Sequence, residues 1–128
     1  MNKSKGTNAE RALVHKFWST GEWVCHRIAG SGSSKYPSPD LIASNKIRRL
    51  SIECKTTRTG YVYIPKEEIF ALREFSQMFG AEPWVALKFL SEEWLFLNID
   101  DLNETGKSFK ADKKLAKSKG LLFEELVK

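Results

Sequence analysis

The sequence predicts one α/β domain in which helices flank a mixed central β-sheet, and three observations carry that reading. Residues 50–55 alternate Leu50, Ile52 and Cys54 with Ser51, Glu53 and Lys55, the period of two of a strand. Residues 7–20 and 65–79 carry apolar side chains at helical spacing, and each run stops at a glycine, Gly21 or Gly80. Trp94-Leu95-Phe96-Leu97 is apolar at every position, as in a strand covered on both faces. At 128 residues the chain can build its core without disulfides or a structural metal.

Taken in order, residues 1–6 form a flexible basic arm. Thr7-Asn8-Ala9-Glu10 matches the capping-box pattern, with Thr7 as cap and Glu10 three residues on. The helix then runs to Thr20 on a stripe of Leu13, Val14, Phe17 and Trp18, and Glu10 lies on that stripe one turn earlier. Residues 23–28 read as the first strand, with His26 and Arg27 on opposite faces. His26 and His15 have no partner at ligand spacing and read as structural or surface residues.

Residues 29–38 are small and flexible. Gly30 and Gly32 allow close backbone approach, Ser31 offers a hydroxyl and Lys35 a charge, which suits a phosphate-contacting loop or a plain surface loop. It is not a P-loop, since no Gly-Lys-Ser/Thr follows at the required spacing. Residues 39–43 and 50–55 are strands joined by turn chemistry at Ser44-Asn45-Lys46. A further strand covers residues 61–64. Pro65 opens a helix with a buried stripe of Ile69, Leu72, Phe75 and Phe79. Residues 84–90 and 94–99 make two apolar strands around Ser91-Glu92-Glu93. Beyond residue 103 the chain is assigned only as a C-terminal segment. Its basic run of Lys110, Lys113, Lys114, Lys117 and Lys119 reads as a solvated helix face, with DNA contact as the rival reading.

The composition narrows the function. Hydrophobic content of 41% and charged content of 29% are those of a soluble globular protein. No apolar run approaches a membrane span and no signal-peptide core follows Met1, so a cytoplasmic protein with no membrane partner is expected. Cys25 and Cys54 sit in apolar stretches and are expected as buried free thiols. A net charge of +5 and a pI near 9.2 favour a polyanionic partner.

Candidate chemistry sits between residues 39 and 55. Glu53 and Lys55 share one face of their strand, and pairing with the preceding strand brings Asp40 close to Glu53. Two carboxylates and an ammonium on a rigid sheet suit a divalent metal beside a lysine, a set able to cut a phosphodiester. The same residues equally fit an ordinary hairpin with a polar outer face. Glu10, aimed at that sheet, is a third acid for the site if it is not spent on capping.

Laid out this way, the chain resembles the archaeal-type Holliday junction resolvases of the PD-(D/E)xK nuclease superfamily. The shared pieces are Lys5-Gly6 through Ala9-Glu10-Arg11, Arg27 with Ala29-Gly30-Ser31, Pro39-Asp40, and Ile52-Glu53-Cys54-Lys55. Phe75-Ser76, Phe79-Gly80 and residues 85–89 belong to the same match, which covers roughly residues 5–100. The resemblance implies a restriction-endonuclease-like core and a homodimer that cuts a four-way DNA junction symmetrically with Mg²⁺, for which Mn²⁺ can substitute. No other cofactor is implied. Glu10, Asp40, Glu53 and Lys55 would be the catalytic set, with the metal on Asp40, Glu53 and the Cys54 carbonyl and Glu10 close by. Arg11, Arg27 and Ser31 would fall at family positions near the active site and DNA, and Gly30, Gly32 and Lys35 join them as DNA contacts on the phosphate-contacting reading of the loop. The loop from Gly32 to Ser38 is longer than in some relatives, so the position of Lys35 rests on the loop rather than on the match. A superfamily nuclease acting on duplex ends or flaps, and a DNA-binding module without catalysis, are the rival readings.

Overall fold

The structure, a computed structural model, describes residues 3–30 and 35–128. Its elements are α1 (Lys3–Trp18), β1 (Val24–Arg27), β2 (Leu41–Ser44), β3 (Arg49–Thr57), β4 (Tyr61–Pro65) and α2 (Lys66–Phe79). They continue with β5 (Glu82–Phe89), β6 (Leu95–Asn98), a 3-10 turn (Ile99–Asp101), β7 (Asn103–Glu104), β8 (Ser108–Asp112), α3 (Lys113–Lys119), β9 (Leu121–Leu122) and α4 (Phe123–Leu126). The main sheet runs β1-β2-β3-β5-β6-β9 and is antiparallel except for the central β3–β5 pair, so it is mixed as expected.

Alternation along the central strands divides the interior into two layers. On one face, Leu50, Ile52, Cys54, Ala86 and Phe96 pack against Leu13 and Phe17 of α1 and Phe123 and Leu126 of α4. On the other, Val85, Leu87 and Leu97 pack against Ile69 and Leu72 of α2, Ile64 of β4, Ala111 of β8 and Ala116 of α3. Trp94 through Leu97 are therefore buried by this chain's own elements, 8% exposed at most. Arg48 closes the molecule. Its guanidinium grips Glu82 with two hydrogen bonds (2.8 and 2.9 Å) and the carbonyl of Leu126, tying the C-terminus to the sheet.

Several expectations change. Helix α1 starts at Lys3, so residues 3–6 are helical rather than part of an arm, and Thr7 lies inside the helix instead of capping it. Trp18 is 46% exposed because it sits at the edge of the stripe, where its indole N–H can donate to the Cys25 carbonyl (2.8 Å). Helix α2 faces the sheet through Ile69, Leu72 and Ser76. Phe75 and Phe79 fall beside that line and pack on each other, which leaves Phe79 44% exposed. Gly80 ends the helix at φ 78°, where a left-handed residue is needed. Strand β4 does not join the main sheet but pairs with β8 in a second sheet of order β4-β8-β7. The basic C-terminal segment accordingly holds a strand as well as α3, whose Lys113 and Lys117 both pair with Glu92 on the β5–β6 turn. Cys25 and Cys54 are buried free thiols, and burial pushes the Cys25 thiol up to about 12. No helix among the described residues is long and apolar enough to cross a membrane.

Candidate active site

The site forms where two neighbouring strands part. Strand β2 pairs with β3 only from Ser44↔Arg49 to Leu41↔Ile52, while β3 continues to Thr57 against β5. Beyond that point the Asp40 backbone N–H still donates to the Ile52 carbonyl (3.0 Å). The Asp40 carboxylate then takes the next donor, the Cys54 N–H, at 2.8 Å. One side chain thus satisfies a strand edge and is fixed by it. Glu53 and Lys55 project from β3 on the side of the sheet that carries α2.

The cleft at this gap has a volume of about 670 Å³ and is lined by Glu10, Asp40, Glu53, Cys54 and Lys55. Lys35, Tyr36, Pro37 and Ser38 form one wall, and Glu67 and Glu68 of α2 the other. Glu10 reaches it from α1, on the opposite side of the sheet from α2. It sits in the interior of α1 and so cannot be a capping residue; instead its carboxylate accepts from Arg27 Nε at 3.0 Å. The expectation that Glu10, Asp40, Glu53 and Lys55 share one cleft is met by the geometry.

The electrostatics are those of crowded acids. Burial first, and then the charge of Asp40, pushes the Glu53 carboxyl up to about 8; Glu68 and a hydrogen bond with Asp40 add to the rise, and Lys55 opposes it. Burial and Asp40 also raise Glu10, against the Arg27 and Lys55 cations. Burial alone would lower Lys55, but its hydrogen bond to Glu68 and the charges of Glu68, Glu53 and Asp40 outweigh that and raise it. Lys55 Nζ lies 2.8 Å from Glu68 Oε1 and 3.8 Å from Glu53 Oε2.

Among the described residues, no three His, Cys, Asp or Glu side chains are already drawn together as a metal cage. The donor set nevertheless fits a hard dication. Asp40 and Glu53 are oxygen donors in contact, and their mutual repulsion is what a cation between them would relieve.

The remaining sequence candidates scatter around the cleft. Arg27 contacts it through Glu10, Lys35 lines its mouth, and Arg11 is exposed on α1. Gly30 turns the chain at φ 70° after β1, while Ser31 and Gly32 lie outside the described residues. Glu68 was missed by the sequence reading. Its only signal was a place in the first turn after Pro65, and nothing local says that this turn stands over the end of β3.

Comparison with known proteins agrees with this architecture. The family model described as archaeal Holliday junction resolvase (hjc) matches residues 1–128. The crossover junction endodeoxyribonuclease Hjc of Archaeoglobus fulgidus is 41% identical over 110 residues, 86% of this chain and 80% of that protein. Its namesake in Sulfolobus acidocaldarius is 33% identical over 129 residues, covering 99% and 89%. The solved structure of A. fulgidus Hjc, a Holliday junction resolvase from an archaeal hyperthermophile, superposes with a TM-score of 0.89 at 36% identity, covering 96% of this chain and all of that one. With the whole chain matched by the family model and the fold superposing along its length, this protein belongs to the archaeal Holliday junction resolvase family.

Proposed function

We propose that this chain is a crossover junction endodeoxyribonuclease that hydrolyses phosphodiesters at four-way DNA junctions, using Mg²⁺ held in the Asp40–Glu53 cleft. The observation that carries the reading is the meeting of Asp40, Glu53, Lys55 and Glu10 in one cleft of a chain matched along its length to that family. Asp40, Glu53 and the Cys54 carbonyl would hold the ion, with Glu10 close enough to act through water. A dication there supplies charge to polarise the scissile phosphate and to acidify a bound water. Lys55 positions that water or steadies charge on the phosphate, at a place where water is partly excluded. Arg27 beside Glu10 and Lys35 in the cleft lining supply cations for the DNA backbone, which carries no sequence information in itself, and Arg11 adds an exposed one on α1.

Glu10 gives a test that separates chemistry from folding. Glu10→Gln should cut cleavage sharply while leaving thermal stability nearly unchanged, since burial and Asp40 already disfavour the Glu10 charge and so offset what its ion pair to Arg27 contributes. Cleavage at the wild-type rate would remove Glu10 from the site.

Two cuts on opposed strands favour a homodimer with a two-fold axis. The Trp94-Leu97 strand is spent on the chain's own core, which leaves α2, whose Phe70, Met78 and Phe79 are each exposed, as the other of the two surfaces the sequence offers for it. In EDTA, a labelled junction should stay bound against excess linear duplex, with affinity falling steeply as salt rises. Light scattering on the same sample should give about twice 14.6 kDa. Equal competition by duplex, or a monomer at cleavage concentrations, would count against the reading.

A further inference from the structure

A lysine that must steady a reacting phosphate has a difficulty that its strand cannot solve. Strand β3 fixes the Cα of Lys55, but the ammonium hangs on a flexible four-carbon stem. Glu53, its neighbour on the strand, is 3.8 Å away, too far for a hydrogen bond. The partner that does fix it comes from another element. Glu68 accepts from Lys55 Nζ at 2.8 Å. Its helix is anchored to the sheet by Ile69 and Leu72, 0% and 2% exposed. Two acids occupy the first turn of α2, where any carboxylate favours the helix. Of the two, Glu68 is the one bonded to Lys55, and a general preference for acids at a helix start does not account for that contact.

Building on the reading that Lys55 acts on the phosphodiester, we propose that Glu68 is a positioning residue that pins the Lys55 ammonium at the cleft. A lysine ammonium has three donors. With one directed at Glu68, the other two stay available to a phosphate oxygen or the attacking water, and their directions are set by α2 rather than by chance. The contact also gives the Glu68 carboxylate a role at the edge of a cleft built for a polyanion. A spectator acid there would only repel DNA.

That contrast fixes the sign of the test. The measurements are single-turnover cleavage of a four-way junction at saturating enzyme and junction affinity in EDTA, for wild type, Glu68→Ala, Glu68→Gln and Lys55→Ala. Losing a charge-assisted hydrogen bond that orients a reacting group should slow Glu68→Ala by roughly 10- to 100-fold. Its affinity should be equal or tighter. Glu68→Gln retains an acceptor and should recover most of the rate. The proposal is overturned if Glu68→Ala cuts as fast as wild type or faster, if its defect lies in affinity alone, or if the glutamine variant fails as badly as the alanine one. A wild-type protein that leaves junctions uncut, or a Lys55→Ala variant that cuts normally, would instead overturn the reading on which it rests.

Discussion

Asp40→Asn is expected to bind a four-way junction as well as the wild type and to cleave it at least about 1,000-fold more slowly, several kcal/mol of transition-state stabilisation. The asparagine oxygen can still accept the Cys54 N–H that the carboxylate accepts at 2.8 Å, so the parting of β2 and β3 should survive. What the substitution removes is one negative charge facing Glu53 and Glu10, the charge a dication would be held by. Affinity measured in EDTA and single-turnover cleavage with Mg²⁺ separate the two effects. Near-normal cleavage would show that the metal is held elsewhere.

Glu53→Gln carries the second large effect, and it concerns stability as well as rate. The Glu53 carboxyl has an ordinary value of 4.5 and is pushed to about 8 in the fold. Between those values the folded chain keeps a proton that the unfolded chain has released. Stability from this group is therefore fully present below pH 4.5, falls as the pH rises towards 8, and is level above it. At about 1.4 kcal/mol per unit the accumulated cost is several kcal/mol. A glutamine at this position can donate to Asp40 without that charge. In EDTA at about pH 8.5, Glu53→Gln should melt at least about 5 °C above wild type, with the gap closing as the pH falls towards the ordinary carboxylate range. The same variant should lose cleavage. A melting difference that does not change with pH would mean that burial and the neighbouring Asp40 charge do not raise Glu53.

Much of the site was legible because it depends on short-range rules. The period of two placed Glu53 and Lys55 on one face. The Asp40–Glu53 encounter followed from a tight turn, since residues in a hairpin must face each other. Glu10 was found by helical spacing from Leu13, although the capping box misplaced the start of α1. What escaped was set by long-range pairing. Strand β8 shows its alternation only in Phe109 and Ala111 among a serine, a lysine and an aspartate, too few residues to stand out from a basic run. Its partner β4 lies more than forty residues earlier. Glu68 escaped for a related reason. Its helix could be drawn from Pro65 to Gly80, but the spot on the sheet where the first turn lands is decided by the parallel β3–β5 crossover.

The most direct test is cleavage itself. A purified sample should be given Mg²⁺ with either a four-way junction or a linear duplex of the same sequence, and the cut positions mapped on every strand. The account predicts paired nicks, symmetrically placed on two opposed strands of the junction, none on the duplex, and no reaction in EDTA. Equal nicking of the duplex, preferential attack on ends or flaps, or cleavage that persists without a divalent metal would contradict it.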